Sequence, residues 1–177
     1  MRKELSATIN GPPQFKHDQD RHRYFMSLAL AYARQAQDLA EVPIGCVAVY
    51  QDQVVGYGFN LRETSQDATT HAEIQAIRMA NQSLASWRLA DVDLYVTLEP
   101  CPMCSGAMIL SRVRHVYYGA SDPKGGTAGS LMNLLADNPF NHNVGVTSGI
   151  LAEECGQILQ DFFRSLRARK KAEREKA

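Results

Sequence analysis

Apolar residues recur at three- and four-residue spacing from about Asp20. Phe25, Leu28, Ala29, Tyr32, Ala36, Leu39 and Ala40 fall on one side of a helix. The period then shortens. Ile44 to Tyr50 is a short apolar run, Gln51-Asp52-Gln53 is polar, and Val54 to Asn60 is apolar again, which predicts a hairpin. A polar stretch from Arg62 to Thr70 predicts a loop leading into a second helix from His71 to about Leu84. Leu94 to Leu98 predicts a third strand, with Pro100 barring a smooth passage into the third helix, Cys104 to Ser111. A fourth strand follows over His115 to Ala120. The Gly-rich segment 125–129 predicts a loop before a short helix, Ser130 to Leu135, and Val144 to Thr147 predicts a fifth strand. Leu151, Cys155, Ile158, Leu159, Phe162, Phe163 and Leu166 mark the apolar stripe of a last helix. A hairpin followed by alternating helices and strands predicts an α/β layered domain with a mixed sheet.

With 177 residues, 45% of them hydrophobic and 21% charged, the chain fits one globular domain. Its composition excludes a disordered, collagenous or disulfide-scaffold protein. Residues 1–18 are polar, contain Gly11-Pro12-Pro13 and show no period, so they read as a flexible extension on a single domain over 19–177. No apolar run approaches the roughly 18 residues of a membrane span. The first residues develop no apolar signal core, which predicts a cytoplasmic protein without a membrane partner. Formal charge is zero but uneven. Seven Lys/Arg against two acids from Arg164 to Ala177 make that tail +5 and the remainder −5. A basic tail is either a nucleic-acid handle or a solvated helix end.

Four cysteines are present, and two form Pro100-Cys101-Pro102-Met103-Cys104. Cysteines at i and i+3 at a helix start share one side, and the free N–H groups there favour thiolates. A Cys-x-x-Cys turn is a common zinc half-site, but it also serves redox proteins, and two cysteines can simply lie close together. His71-Ala72-Glu73, 30 residues before Cys101 and also at a helix start, shifts the balance. His71 supplies a third zinc ligand, leaving a fourth position for water, and no second Cys-x-x-Cys exists to close a structural site. Glu73 at the first turn is placed to take a proton from that water. His-x-Glu followed by Pro-Cys-x-x-Cys is the pattern of zinc nucleobase deaminases.

Beyond this pattern the chain resembles the bacterial tRNA-specific adenosine deaminases, which convert the wobble adenosine of an arginine tRNA to inosine. The matching segments are Glu41-Val42-Pro43-Ile44-Gly45, Gly58-Phe59-Asn60, His71-Ala72-Glu73-Ile74, Tyr95 to Met108, Gly129 to Asn133, Asn141-His142 and Asp161-Phe162-Phe163-Arg164. The resemblance implies a three-layer α/β/α sandwich of the cytidine-deaminase type around a five-stranded mixed sheet. It implies a homodimer acting on a tRNA anticodon stem-loop. It also implies roles for single residues. Asn60 would hold the nucleoside. Asp122 and Lys124 would lie on a loop against the anticodon nucleotides. Phe162, Phe163 and Arg164 would belong to a C-terminal helix that contacts RNA. Cys46 stands where alanine is common and reads as a buried small residue. Ser121-Asp122-Pro123 departs from the family's usual loop.

Rival readings are a deaminase of a free base such as guanine, a cytidine deaminase, a zinc module that only binds RNA, and a redox protein using Cys101 and Cys104. The Asp122-Pro123-Lys124 loop, Gly129-Ser130 and the Phe162-Phe163-Arg164 segment favour RNA over a free base. Glu73 argues against a binding-only module. Phe163 is left open between stacking on a base and packing in the core. His115 is read as structural or exposed, His142 and Cys155 as structural, and Trp87 as an anchor for the loop after the second helix.

Overall fold

The structure is a computed structural model that describes residues 13–175. Helix α1 (Asp18–Asp38) buries Phe25, Met26, Ala29, Leu30, Ala33 and Ala36 on one side. Strands β1 (Gly45–Tyr50) and β2 (Gln53–Phe59) form the antiparallel hairpin. Gln51 and Asp52 at its tip both have left-handed φ (49° and 59°), as a twist-matched two-residue turn requires. The chain continues through α2 (Arg62–Ser65), α3 (Ala72–Ser83), β3 (Asp93–Leu98), α4 (Pro102–Leu110), β4 (His115–Ala120), β5 (Gly145–Thr147) and α5 (Ala152–Arg174). The sheet order is β2-β1-β3-β4-β5. β1 runs antiparallel to β3, while β3, β4 and β5 are parallel, so the five-stranded sheet is mixed as expected.

Alternation along the strands splits the core in two. Cys46, Ala48, Leu94, Val96 and Val116 pack with Ala76, Ile77, Met108 and Ile109 of α3 and α4. Val47, Val49 and Tyr95 point the other way, toward Phe25, Met26 and Ala29 of α1 and Cys155 of α5. That gives the α/β/α sandwich. It also explains why the central strands read as unbroken apolar runs, since both faces are covered. At Gly58 a Cβ would lie 2.3 Å from the Ala72 carbonyl oxygen. Only glycine lets the first turn of α3 rest on β2, and that turn carries His71 and Glu73.

The far end of the sheet is tied by charge. Asp93, buried at the start of β3, accepts from Arg114 Nε and Nη2 (2.9 and 2.8 Å) and from Arg21 Nη2 (3.2 Å). Arg21 Nη1 also donates to the Tyr95 hydroxyl at 2.6 Å, which fixes α1 to the sheet.

Several expectations needed correction. The stretch 62–70 is not all loop: Arg62–Ser65 forms one helical turn, because the buried Glu41 accepts the Thr64 N–H at 2.5 Å, a contact no local pattern shows. Ser130–Leu135 is not a helix. Gly129 has a φ of 144°, and Gly129 N–H turns back to the Met132 carbonyl. The only regular pairing there is a bridge between Ala128 and Asn133. Trp87 does not anchor its loop, being 57% exposed under the Arg88 guanidinium at 4.6 Å. Of the expected extension, residues 1–12 lie outside the described residues. Phe15 is attached to the body, its ring 5.4 Å from Tyr24 and 5.7 Å from Phe25. Cys46 and Cys155 are fully buried, and all four cysteines are free. His115 meets the Thr147 hydroxyl at 2.8 Å and His142 the Val113 carbonyl at 2.8 Å, both structural contacts. Among the described residues no helix is long and apolar enough to cross a membrane.

Candidate active site

Two helix N-termini converge beside the C-terminal end of β3. His71 is the N-cap residue of α3 and Cys101 that of α4, with Pro102 as the first helical residue. Proline is suited to that position, since the N–H it lacks has no helical partner there. Cys104 lies one turn further along α4 and is buried. His71 Nδ1 is 3.6 Å from both Cys101 Sγ and Cys104 Sγ, and the three donor atoms lie within 4.8 Å of one another. The sequence predicted this triad, and the fold brings it together.

The electrostatics of the cluster are strongly polarised. Hydrogen bonding from Cys104 holds the Cys101 thiol down to about 4, with a further hydrogen bond from His71. Cys104, which gives up that hydrogen bond and is buried, is pushed up. The same bond to Cys101 raises the His71 imidazole. Glu73 is 4% exposed, and burial raises its carboxyl above the usual range, while hydrogen bonding with Cys104 works the other way. A buried carboxyl raised in this manner is suited to general acid–base work. Two thiol sulfurs and one imidazole nitrogen converging from three sides are a donor set that fits zinc, with one tetrahedral position left over.

The cluster opens into a cavity of about 110 Å³. Its polar lining is Asn60, His71, Glu73, Glu99, Cys101 and Asp122, and Ile44 and Leu98 supply apolar wall. Thus Asn60 and Asp122 join the catalytic and metal-ligand candidates at one cavity. The other expected RNA-contact residues do not line it. Lys124 is exposed in the turn after Asp122, its N–H donating to Asp122 Oδ1 at 2.9 Å. Phe162, Phe163 and Arg164 lie on α5. Phe162 and Phe163 contact edge to face at 5.4 Å, Phe163 is 40% exposed, and Arg164 pairs with Asp161 at 3.2 Å.

Two acids that sequence reasoning passed over organise the cavity. Glu41, 1% exposed, accepts Asn60 Nδ2 at 3.2 Å as well as the Thr64 N–H. Glu99, 3% exposed, accepts from Asp122, Ala128 and Ser130 across the following loop. Burial alone would raise the Glu99 carboxyl, but these hydrogen bonds hold it below its usual range. The available signal was an acid placed directly between an apolar strand and a proline, where solvation needs none.

The fold and this donor set define a hydrolytic deaminase. A family profile described as MafB19-like deaminase matches residues 19–167. The tRNA-specific adenosine deaminase of Bacillus subtilis (strain 168) is 52% identical over 151 residues, covering 85% of this chain and 94% of that protein. A solved structure from studies of A-to-I editing by tRNA:A34 deaminases at the wobble position of transfer RNA is also similar. It has a TM-score of 0.74 and 45% identity, over 77% of this chain and 99% of the other. A guanine deaminase structure from Nitrosomonas europaea has a TM-score of 0.62 at 22% identity, over 86% and 88%, and shows the fold is shared. The chain belongs to the tRNA-specific adenosine deaminase family.

Proposed function

We propose that this chain hydrolyses adenosine to inosine at the wobble position of a tRNA anticodon, an arginine tRNA being the expected substrate. The observation that carries the reading is the buried Glu73 beside the His71, Cys101 and Cys104 donor cluster, with Glu73, His71 and Cys101 lining one cavity. His71, Cys101 and Cys104 would hold one zinc ion. Zinc bound there lowers the pKa of a water molecule toward about 7. Glu73 takes one proton of the attacking water and delivers it to the purine ring nitrogen next to C6; it then takes the proton of the new C6 hydroxyl and hands it to the departing amino group as the C6 oxygen becomes a carbonyl. Water and adenosine are consumed, and inosine and ammonia leave. General acid–base work of this kind contributes about 10²–10⁴-fold.

Asn60, having given one N–H to Glu41, keeps its Oδ1 and second N–H for the nucleoside. The base must leave its stack to reach Glu73, which costs least in a single-stranded loop. On α5, Arg164, Arg167, Lys171 and Arg174 recur at three- and four-residue spacing and form one basic stripe suited to phosphates. Phe163, partly exposed beside the head of that stripe, is suited to base stacking. The working form is proposed to be a cytoplasmic homodimer, a reading carried by the family.

The test is deamination of an anticodon stem-loop RNA with adenosine at the wobble position. Free guanine and cytidine run in parallel, with Glu73→Ala and zinc content as controls. Inosine in the RNA alone, lost in Glu73→Ala while about one zinc per chain remains, is the expected result. Guanine turnover with silent RNA would move the chain to the free-base branch.

A further inference from the structure

The loop between β4 and the turn at Asn133 has no helix or strand to define it, yet it brings Asp122 to the cavity. Backbone turns and Thr127, which meets the Ser105 hydroxyl and the Pro100 carbonyl, hold part of it, and one carboxylate gathers the rest. Glu99 Oε2 accepts the Asp122 N–H at 2.9 Å and the Ser130 hydroxyl. Oε1 accepts the N–H groups of Ala128 and Ser130 at 3.0 and 2.9 Å. An ionised carboxylate is acceptor-only, with about four lone-pair sites, and here four donors fill them. Hydrogen bonds to a charged acceptor are the stronger kind. The loop closes around the carboxylate so tightly that a Cβ at Gly126 would lie 2.3 Å from its Cδ and 2.4 and 2.6 Å from its oxygens. Glu99 is itself in the cavity wall with Asp122.

We propose that Glu99 is a positioning residue, whose carboxylate gathers residues 122–130 and thereby sets Asp122 at the cavity for the substrate. It rests on the proposed function only in naming that substrate as RNA. No other side chain substitutes. Glutamine presents an NH₂ group to two of the four donors, and aspartate is one methylene short. Glu99 acts through Asp122, not through the donor triad, so its loss should weaken substrate binding while metal is retained.

The experiment combines hydrogen exchange with a double-mutant cycle on the zinc-loaded full chain. In Glu99→Gln, the amides of Asp122, Ala128 and Ser130 are expected to exchange about tenfold faster or more, a readout independent of any substrate. KM for the anticodon stem-loop should rise about tenfold with kcat changed much less. Combining Glu99→Gln with Asp122→Ala should raise KM no further than Asp122→Ala alone. Gly126→Ala, which drives a methyl into the same carboxylate, should reproduce the KM effect. Ser130→Ala, which removes one donor, should do so more weakly and serves if Glu99→Gln does not fold. Unchanged amide protection, loss of zinc, or additive effects of Glu99→Gln and Asp122→Ala would each overturn the proposal. Intact protein that leaves the RNA untouched would instead refute the functional reading, and the exchange result would still decide the loop.

Discussion

Glu41 offers a sharp separation of stability from recognition. The buried carboxylate receives two donors, Asn60 Nδ2 and the Thr64 N–H. Glu41→Ala strands both. An unsatisfied buried donor costs about 1–3 kcal/mol, so the pair should cost about 3 kcal/mol. At roughly 2–4 °C per kcal/mol for a chain of this size, Tm should fall by about 6–12 °C. Glu41→Gln behaves differently. Its Oε1 still serves Thr64, but its NH₂ now faces the Asn60 NH₂. Rotating the Asn60 amide by 180° restores the bond, with Asn60 Oδ1 as acceptor. The fold then loses only about 1 kcal/mol, the charge-assisted part, and Tm moves by about 2–4 °C. The groups Asn60 has left for the nucleoside, however, have changed from one acceptor and one donor to two donors. A mismatched hydrogen bond of about 1–3 kcal/mol lowers kcat/KM on the stem-loop by about 10–100-fold. Melting curves and single-turnover kinetics on both variants decide it. If Glu41→Gln kept wild-type kcat/KM, Asn60 would not be the nucleoside-holding group, and the reasoning would fail.

The pH dependence of stability should carry the signature of the two histidines stacked on Tyr117, His22 at 4.2 Å and His115 at 4.3 Å. Burial lowers both rings below their usual range. As pH falls below about 6.5 the unfolded chain takes up protons that the folded chain resists, so stability is lost by up to about 1.4 kcal/mol per pH unit per histidine. Tm measured from pH 7.5 to 5 should therefore decline, and a His22→Gln, His115→Gln double variant should decline less steeply; an identical slope contradicts the assignment. Chelation should remove one zinc per chain and all deamination, with zinc restoring both, and Cys101→Ala should prevent the restoration; activity in metal-free protein would refute the donor set. Truncation of residues 167–177 should flatten the dependence of log Kd on log salt by about 0.7–0.9 for each phosphate the segment neutralises. An unchanged slope there would leave the basic stripe of α5 without a role in RNA binding. Gly58→Ala should cost stability and activity together, because its methyl meets the Ala72 carbonyl and displaces the turn bearing His71 and Glu73.

What was legible in the sequence follows from the range of the forces involved. The two core layers could be read because burial imposes a period of 2 or 3.6 on neighbouring residues, and Cys46/Ala48 against Val47/Val49 is such an alternation. The donor triad was legible for another reason. His-x-Glu and Cys-x-x-Cys each sit within one helix turn, so spacing orders the side chains within each motif, and the joint pattern of the two motifs pointed to their meeting. Errors cluster where a distant side chain decides the backbone. The Ser130–Leu135 segment has helix-forming residues but spends the amide and hydroxyl of Ser130 on Glu99, 31 residues away. The turn at Arg62–Ser65 depends likewise on Glu41, 23 residues before Thr64. Neither contact leaves a periodic trace.

These two acids solve the same physical problem on either side of the cavity. A site that admits a base needs backbone that is not helix or strand, and such backbone leaves N–H groups without partners. A buried carboxylate takes several at once and converts a loop into a rigid wall, so Asn60 and Asp122 are held without lengthening any strand. The metal-ligand candidates need no such help, because helix N-termini already orient them. This division predicts where relatives on the same fold can diverge. Donors fixed by α3 and α4 tie the proposed metal chemistry to the sandwich itself, while the segments tied to Glu41 and Glu99 can be re-formed with the carboxylate in place. Substrate choice can then change with little disturbance to Glu73 and its neighbours, because a fold does not by itself fix what its site accepts.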